Sequence, residues 1–137
     1  MGKSYGKEIV KLITDKQEIE NNYSINVAQV QGFIHLDMDD FYAFANKYKL
    51  VMEIVVDSPA SVLDQIKTAV SEIKKHSVGK VSAMILSISY KLSSPLVMWE
   101  LRCPNDLIVY KEIEFKRGVQ ENDNIFNYRS ISLFVFE

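Results

Sequence analysis

A helical pattern between two strand patterns, at residues 50–92, limits the possible folds of this chain more than any other feature of its sequence. Apolar residues in the middle of this stretch recur every three or four positions, which predicts an α-helix with one buried face. These residues are Val62, Leu63, Ile66, Ala69, Val70 and Ile73. The flanking runs "LVMEIVVD" (50–57) and "KVSAMILSISYKL" (80–92) are rich in β-branched residues and predict strands. The first run is almost wholly apolar, so we expect both of its faces to be covered.

Further elements are predicted around this central stretch. Ser58 followed by Pro59 is typical of a helix start, with an N-cap and then proline at the first helical position. Amphipathic patterns predict helices over residues 5–20 and 39–49. Residues 128–137, "YRSISLFVFE", predict a final strand after the loop-like "QENDN".

Residues 93–117 fit two structures, and their own pattern favours the first. "LVMWELRC" and "LIVYKEIEF" around a Pro-Asn-Asp turn predict a hairpin, which would give an antiparallel meander over 80–137. A helix is the alternative, with Ser94 and Pro95 at its start. Pro104 would then lie inside the helix, at a cost of ~3 kcal/mol unless it marks a kink.

The length and composition indicate one globular domain. The net charge is −2 and no lysine or arginine stripe is present, so neither nucleic acid nor a membrane is an expected partner. Cys103 is the single cysteine, which excludes an internal disulfide and suits a reducing compartment. A signal-peptide pattern and a membrane-spanning run are both lacking, so we expect a cytoplasmic location.

The segment "GFIHLDMDDFYAF" (32–44) contains the one concentration of chemically interesting residues. Its aspartates Asp37, Asp39 and Asp40 stand between a strand-like run and a helix. We predict that Asp37 is the N-cap and that the other two stabilise the first turn through the helix dipole. An interface role and a catalytic or metal-binding role are the alternatives. His35 falls in the alternating part of the strand and is predicted to be half-buried or at an edge.

The rest of the chain offers few reactive groups. Two histidines and one cysteine do not assemble a Ser-His-Asp, Cys-His or metal-spaced cluster. The glycines never cluster, so the sequence contains no loop that cradles a phosphate. They stand at positions 2, 6, 32, 79 and 118. We therefore predict no cofactor, no metal site and no GTP binding by this chain alone.

The segment "GFIHLDMDDFYAFANKYK" resembles the opening of the C-terminal domain of FtsZ, the bacterial tubulin homologue. Downstream, "QIKTAVSEI", "GKVSAMILSISYKL" and "MWELRCPNDLI" resemble a helix, a strand and a further helix of that domain, in the same order. "GVQEN" and "RSISLFVFE" resemble its final loop and strand. The resemblance spans residues 32–137, so it implies that these form the core of the single domain, after an N-terminal helix and connector (1–31). The implied fold is an α/β (α+β) two-layer sandwich, a mixed four-stranded sheet with helices packed on one face. It also implies a helix over 95–110.

In that family, loop aspartates reach across a polymer contact and complete the GTPase site of the neighbouring subunit. Asp37 and Asp40 match the two aspartates of that loop, whereas His35 stands where the family has asparagine. The resemblance therefore implies an interface formed by His35, Asp37, Asp39 and Asp40. The family's nucleotide-binding domain has no counterpart here, so we expect a stand-alone C-terminal domain or a piece of something longer.

Three functional hypotheses follow. The leading one is a non-enzymatic protein-interaction domain that modulates, or derives from, a tubulin-like cell-division polymer, through a protein partner or self-association. The second is a catalytic half that supplies Asp37 and Asp40 in trans to a GTP-bound partner. The third is a small α+β binding protein unrelated to that family.

Overall fold

A computed structural model describes residues 7–30, 32–76, 79–97, 100 and 113–137. These residues form six strands, three α-helices and one π-helical turn. In chain order they are β1 (Ile9–Ile13), α1 (Lys16–Tyr23), the π-helical turn (Ser24–Ala28), β2 (Gly32–Ile34), α2 (Met38–Ala45), β3 (Leu50–Ser58), α3 (Val62–Lys75), β4 (Ala83–Tyr90), β5 (Glu114–Glu121) and β6 (Arg129–Phe136).

The strands form one mixed sheet in the order β1-β3-β6-β4-β5-β2. Strands β4 and β5 are parallel, and every other neighbouring pair is antiparallel. The α+β class and the mixed sheet are confirmed, but the predicted four strands are wrong because the sheet has six. The antiparallel meander over 80–137 is also wrong, because β5 runs parallel to β4.

The N-terminal segment contains a strand that the helical prediction over 5–20 missed. Strand β1 pairs antiparallel with β3, with Ile9 opposite Asp57 and Ile13 opposite Glu53. Helix α1 begins only afterwards, capped by Asp15, whose side chain accepts a hydrogen bond from the Glu18 N–H at 3.0 Å. The prediction failed because a short strand followed closely by a helix left apolar spacings that resemble one continuous helix.

Helices cover both faces of the sheet, so the prediction of helices on one face is wrong. On one face, α3 packs over apolar residues of β3 and β6 that include Ile54 and Leu133. On the opposite face, α1 and α2 pack over Ile85, Phe134 and Phe136. Neighbouring strand residues point to opposite faces, so central strands that are apolar throughout need a cover on each side. The expectation that residues 50–57 are covered on both faces holds on the α3 side, but on the other side Glu53, Val55 and Asp57 line a groove that the helices leave open.

Helix α3 packs on the sheet through the predicted stripe, since Ile66, Val70 and Ile73 are all buried. Its N-cap is Ser61, whose hydroxyl accepts a hydrogen bond from the Asp64 N–H at 3.2 Å. The predicted N-cap, Ser58, is instead the last residue of β3, because β3 continues to pair with β6 up to that position.

Strand β5 was missed, since its last residues were predicted to be a loop. Its side toward α2 carries Lys116, Gly118 and Gln120, a composition with little strand propensity. A Cβ at Gly118 would collide with the buried Leu36 side chain, so glycine allows the chain after β2 to pack closely here. The helical and hairpin interpretations of 93–117 concern mainly residues outside the described part of the chain. Among the described residues, no helix is long and apolar enough to cross a membrane.

Candidate functional site

A groove of about 610 Å³ lies on the sheet face that carries α1 and α2. Strands β1, β3, β4 and β6 form its floor, and α1 with the π-helical turn forms one wall. Residues 122–126, between β5 and β6, contribute the rim. The two helices cover only part of this face, and the groove is the part that they leave open.

The floor is partly polar, because β4 and β6 change from apolar residues to serines along their length, beside the apolar Ile9, Ile13 and Val55. Near α2, this face carries Phe134 and other buried apolar side chains. Further along the sheet, Ser132 of β6 lies opposite Ser87 of β4, and Ser130 lies opposite Ser89. All four serines line the groove. Serine side chains are too small and too polar to form an apolar helix-packing surface, so this half of the face offers hydroxyl groups instead.

Hydrogen bonds to neighbouring groups hold these floor side chains in place. The Ser130 hydroxyl donates to the Val56 carbonyl oxygen at 3.0 Å. From β5, Gln120 Nε2 donates to Ser89 Oγ at 3.1 Å and also to Ser87 Oγ. The floor is therefore a fixed set of hydroxyl and amide groups rather than a set of mobile surface side chains.

Glu53 lies where the aromatic and serine parts of the face meet. It is paired with Ile13 on one side and Phe134 on the other, and only 2% of it is exposed. Asn22 Nδ2 of α1 donates to Glu53 Oε1 at 3.1 Å, and Ser132 also hydrogen-bonds to the carboxylate. Burial raises the pKa of Glu53 to about 7, and the nearby Glu18 also raises it. The two hydrogen bonds act in the opposite direction and are weaker.

Asp57, the second buried carboxylate of the groove, binds the rim. It accepts hydrogen bonds from the Phe126 N–H at 2.7 Å, from the Asn127 N–H at 3.0 Å and from Asn127 Nδ2 at 2.9 Å. The same Nδ2 donates to the Lys7 carbonyl oxygen at 2.9 Å. These contacts explain the burial of Asp57 as an anchor for the loop between β5 and β6.

The charges of the groove are mostly negative. Glu18, Glu53 and Asp57 line it, and among the described lining residues Lys11 is the one cation. Among the ion pairs of the described residues, none includes Glu53. Within the same described ranges, no three His, Cys, Asp or Glu side chains come together as a metal site would require.

The aspartates predicted from the sequence lie elsewhere, at the start of α2. Asp37 is the N-cap: its Oδ1 accepts from the Asp40 N–H at 3.1 Å, and Asp40 Oδ2 accepts from the Asp37 N–H at 3.0 Å. This reciprocal pair is a capping box, so the predicted capping role is confirmed. The helix ends at Ala45 rather than at residue 49.

The side chain of Asp40 also pairs with Lys116 Nζ at 3.0 Å. Burial alone would raise the pKa of Asp40, but hydrogen bonds from the Asp37 backbone and from Lys116 outweigh it and lower the pKa. Asp37, Asp39 and His35 are exposed, and none of these four residues lines the groove. We call residues 35–40 the acidic corner; its proposed interface role stays a prediction.

Two features of the sequence mark residues of the groove. Glu53 is a lone acid inside the apolar run "LVMEIVVD", where a buried carboxylate needs an explanation. The repeats "SIS" at 87–89 and 130–132 put serines on one face of two strands. Only the strand order brings them together, since β4 and β6 are neighbours in space but lie about forty residues apart in the chain.

Comparisons with known proteins identify no relative of this chain. No protein-family model, curated protein or solved structure matches the chain. The resemblance to FtsZ therefore stays a prediction from the sequence. The described residues form a mixed α+β domain with helices on both faces of the sheet and a partly polar groove on one of them.

Proposed function

We propose that this domain is a binding protein for a small polar molecule, which occupies the groove between α1 and the β5–β6 loop. The observation that carries the proposal is Glu53, a carboxylate almost fully buried in the floor. Burying a charged group costs free energy unless an opposite charge compensates it. In the described part of the chain, Asn22 and Ser132 supply hydrogen bonds to it but no cation does.

The position of Glu53 also favours a binding role over a packing role. Its partners across the sheet are Ile13 and Phe134, so an apolar residue at position 53 would suit the fold better. Ionisable groups whose pKa is strongly shifted by burial, and which lie in a cleft, are concentrated at functional sites. The groove is within the usual size of small-molecule sites, roughly 300–1,000 Å³.

The fixed polar floor supports the same proposal. Ser87, Ser89 and Ser130 are held by hydrogen bonds before any ligand arrives, so little conformational entropy is lost on binding. The lining supplies carboxylates, amides, hydroxyls and one amine. Such groups recognise a ligand by hydrogen bonds and charge, and we propose binding rather than catalysis as their role.

A screen with a blocked groove tests this function. Asn26 and Asn124 are exposed residues of the wall and rim, so Asn26→Trp and Asn124→Trp would fill the entrance without disturbing the core. Asn21→Trp is the matched control, since Asn21 is exposed on α1 outside the lining. The panel would contain amines, amino acids, sugars, polyols and carboxylic acids at millimolar concentration, with binding followed by NMR chemical shifts.

We expect at least one class of compound to bind wild type and Asn21→Trp, and to bind each blocked variant at least tenfold more weakly. Shifted resonances should map to β3, β4 and β6. The proposal is wrong if no compound binds, or if the blocked variants bind every compound as wild type does.

A second candidate function is the interaction domain predicted from the sequence, with the acidic corner as its contact surface. Its support is the exposure of Asp37 and Asp39. Purified FtsZ polymerised with GTP is the probe, in a co-sedimentation assay against this protein. Co-sedimentation that Asp39→Lys abolishes would support this function, and its absence would remove it. We also expect no binding of GTP by this protein alone in calorimetry.

A further inference from the structure

The distribution of charge in the groove indicates which kind of ligand the groove can bind. Glu53 lies between apolar neighbours on β1 and β6, away from bulk water. The charged residues that line the groove with it are Glu18 on α1, Asp57 on its own strand and Lys11 on β1. An anionic ligand would meet three carboxylates in a partly desolvated site and would be repelled.

A neutral ligand would not compensate the buried charge of Glu53, which is the main energetic cost of the site. It could form hydrogen bonds with the serines, but the buried carboxylate would still lack an opposite charge. A divalent metal ion needs several carboxylate, imidazole or thiolate ligands around one point. The described residues form no such cluster. An organic cation would compensate the charge of Glu53 and would not need a cluster of ligands. Its ammonium group needs only one carboxylate and oxygen acceptors around it.

We infer that the ligand of the groove is an organic cation, an alkyl amine or polyamine, whose ammonium group pairs with the Glu53 carboxylate. This inference rests on the binding function proposed above and names the chemical class of the ligand. The ammonium group donates to Glu53, while the serine hydroxyls of β4 and β6 accept from its remaining N–H groups or from a second amine.

The inference makes the affinity depend on pH in one direction. Burial raises the pKa of Glu53 to about 7, whereas an alkyl ammonium ion stays charged to about pH 10. The amine binds the ionised carboxylate, so protonation of Glu53 competes with binding. The affinity should rise about tenfold between pH 6 and pH 8 and change little above pH 8.

Matched pairs of probes test the inference. Each pair has one carbon chain with either two amines or two hydroxyls: 1,4-diaminobutane with 1,4-butanediol, and the three-, five- and six-carbon equivalents. Affinities are measured by NMR titration at pH 6, 7 and 8. Glu53→Gln removes the charge while it keeps the shape of the side chain. Glu72→Gln, on α3 at the opposite face of the sheet, removes the same charge away from the groove.

At pH 8 we expect at least one diamine to bind wild type tenfold or more tightly than its diol. Glu53→Gln should weaken that binding at least tenfold, and Glu72→Gln should change it less than twofold. Retained folding of Glu53→Gln is checked by its NMR spectrum. Glu53→Asp, which keeps a carboxylate, should recover part of the affinity and so separates loss of charge from any change in packing.

The outcomes separate this inference from the proposed function. Diamines that bind no better than diols, or equally well to Glu53→Gln, overturn the cation assignment. If neutral polyols or sugars bind instead and Asn26→Trp blocks them, the binding function stands and only the ligand class is wrong. If Asn26→Trp blocks none of the compounds, both proposals fall.

Discussion

Acidic side chains occupy two regions of this domain, and the two regions treat them in opposite ways. In the acidic corner, Asp37 and Asp40 accept hydrogen bonds from each other's backbone N–H, and Lys116 pairs with Asp40. In the groove, Glu53 is buried with an amide and a hydroxyl as its partners. The first arrangement stabilises the fold, and the second costs stability. Groups held at a cost to stability are the better indicators of function.

The pH dependence of stability should show this contrast most strongly at Glu53. Its pKa is raised from 4.5 to about 7 in the folded protein. Glu53 therefore contributes stability that is fully present below pH 4.5 and is lost as the pH rises through 7, about 3 kcal/mol in all. Glu53→Gln should remove this dependence and make the protein about 1–3 kcal/mol more stable than wild type at pH 8, after the loss of hydrogen-bond acceptors.

Urea unfolding of wild type and Glu53→Gln at pH 4.5 and pH 8 measures this difference. Asp39→Asn serves as the control, because it removes an exposed acid that lies outside the groove. A stability difference between wild type and Glu53→Gln that stays constant with pH would show that Glu53 is not desolvated as described.

The N-cap of α2 should have the next largest effect, with the opposite sign. Asp37→Ala leaves the Asp40 N–H without its acceptor, so we expect a loss of about 0.5–2 kcal/mol of unfolding free energy. Asp37→Asn, which keeps a capping oxygen, is the matched variant and should lose less. An increase in stability on Asp37→Ala would mean that repulsion within the acidic corner outweighs capping.

The ion pair of Asp40 should contribute less than the cap. Asp40→Asn keeps the side-chain oxygen toward the Asp37 N–H but removes the charge that faces Lys116, and the pair is partly exposed. We expect a loss of less than about 1 kcal/mol, reduced further in 0.5 M salt. The lowered pKa of Asp40 means that this contribution is present above its unfolded pKa and is lost as the pH falls through the folded value. Salt-independent loss, measured in urea, would contradict the ion-pair account.

Asp39 should have the smallest effect on stability. It is exposed in the first turn of α2, and it interacts mainly with the helix dipole. Asp39→Asn should change the unfolding free energy by less than about 0.5 kcal/mol. A loss as large as that of Asp37→Ala would show that the cap has been assigned to the wrong aspartate.

The parts of the structure that could be predicted are those whose pattern lies within one segment. The stripe of Ile66, Val70 and Ile73, the strands β3, β4 and β6, and the cap at Asp37 all follow from neighbours within a few residues. Strands β1 and β5 were not predicted, because the pattern of each segment by itself does not indicate a strand. Each carries charged residues, and each is a strand because it pairs with an apolar strand far away in the chain.

The candidate site could not be predicted in this way. The three aspartates of the acidic corner are close together in the sequence, yet their geometry is accounted for by capping and one ion pair. The groove draws Asn22 from α1, Glu53 from β3 and the serines from β4 and β6. The sequence shows each of these residues as an isolated polar position, which has many ordinary explanations.

The sequence alone determined the central helix and strands and the cap of α2, because hydrophobic periodicity and capping act over a few residues. Only the tertiary structure decided the strand order, the parallel pairing of β4 with β5 and the place of Glu53 beneath α1. Burial and the pKa of a carboxyl depend on what distant segments bring to it. The feature on which both proposals rest exists only once the chain has folded.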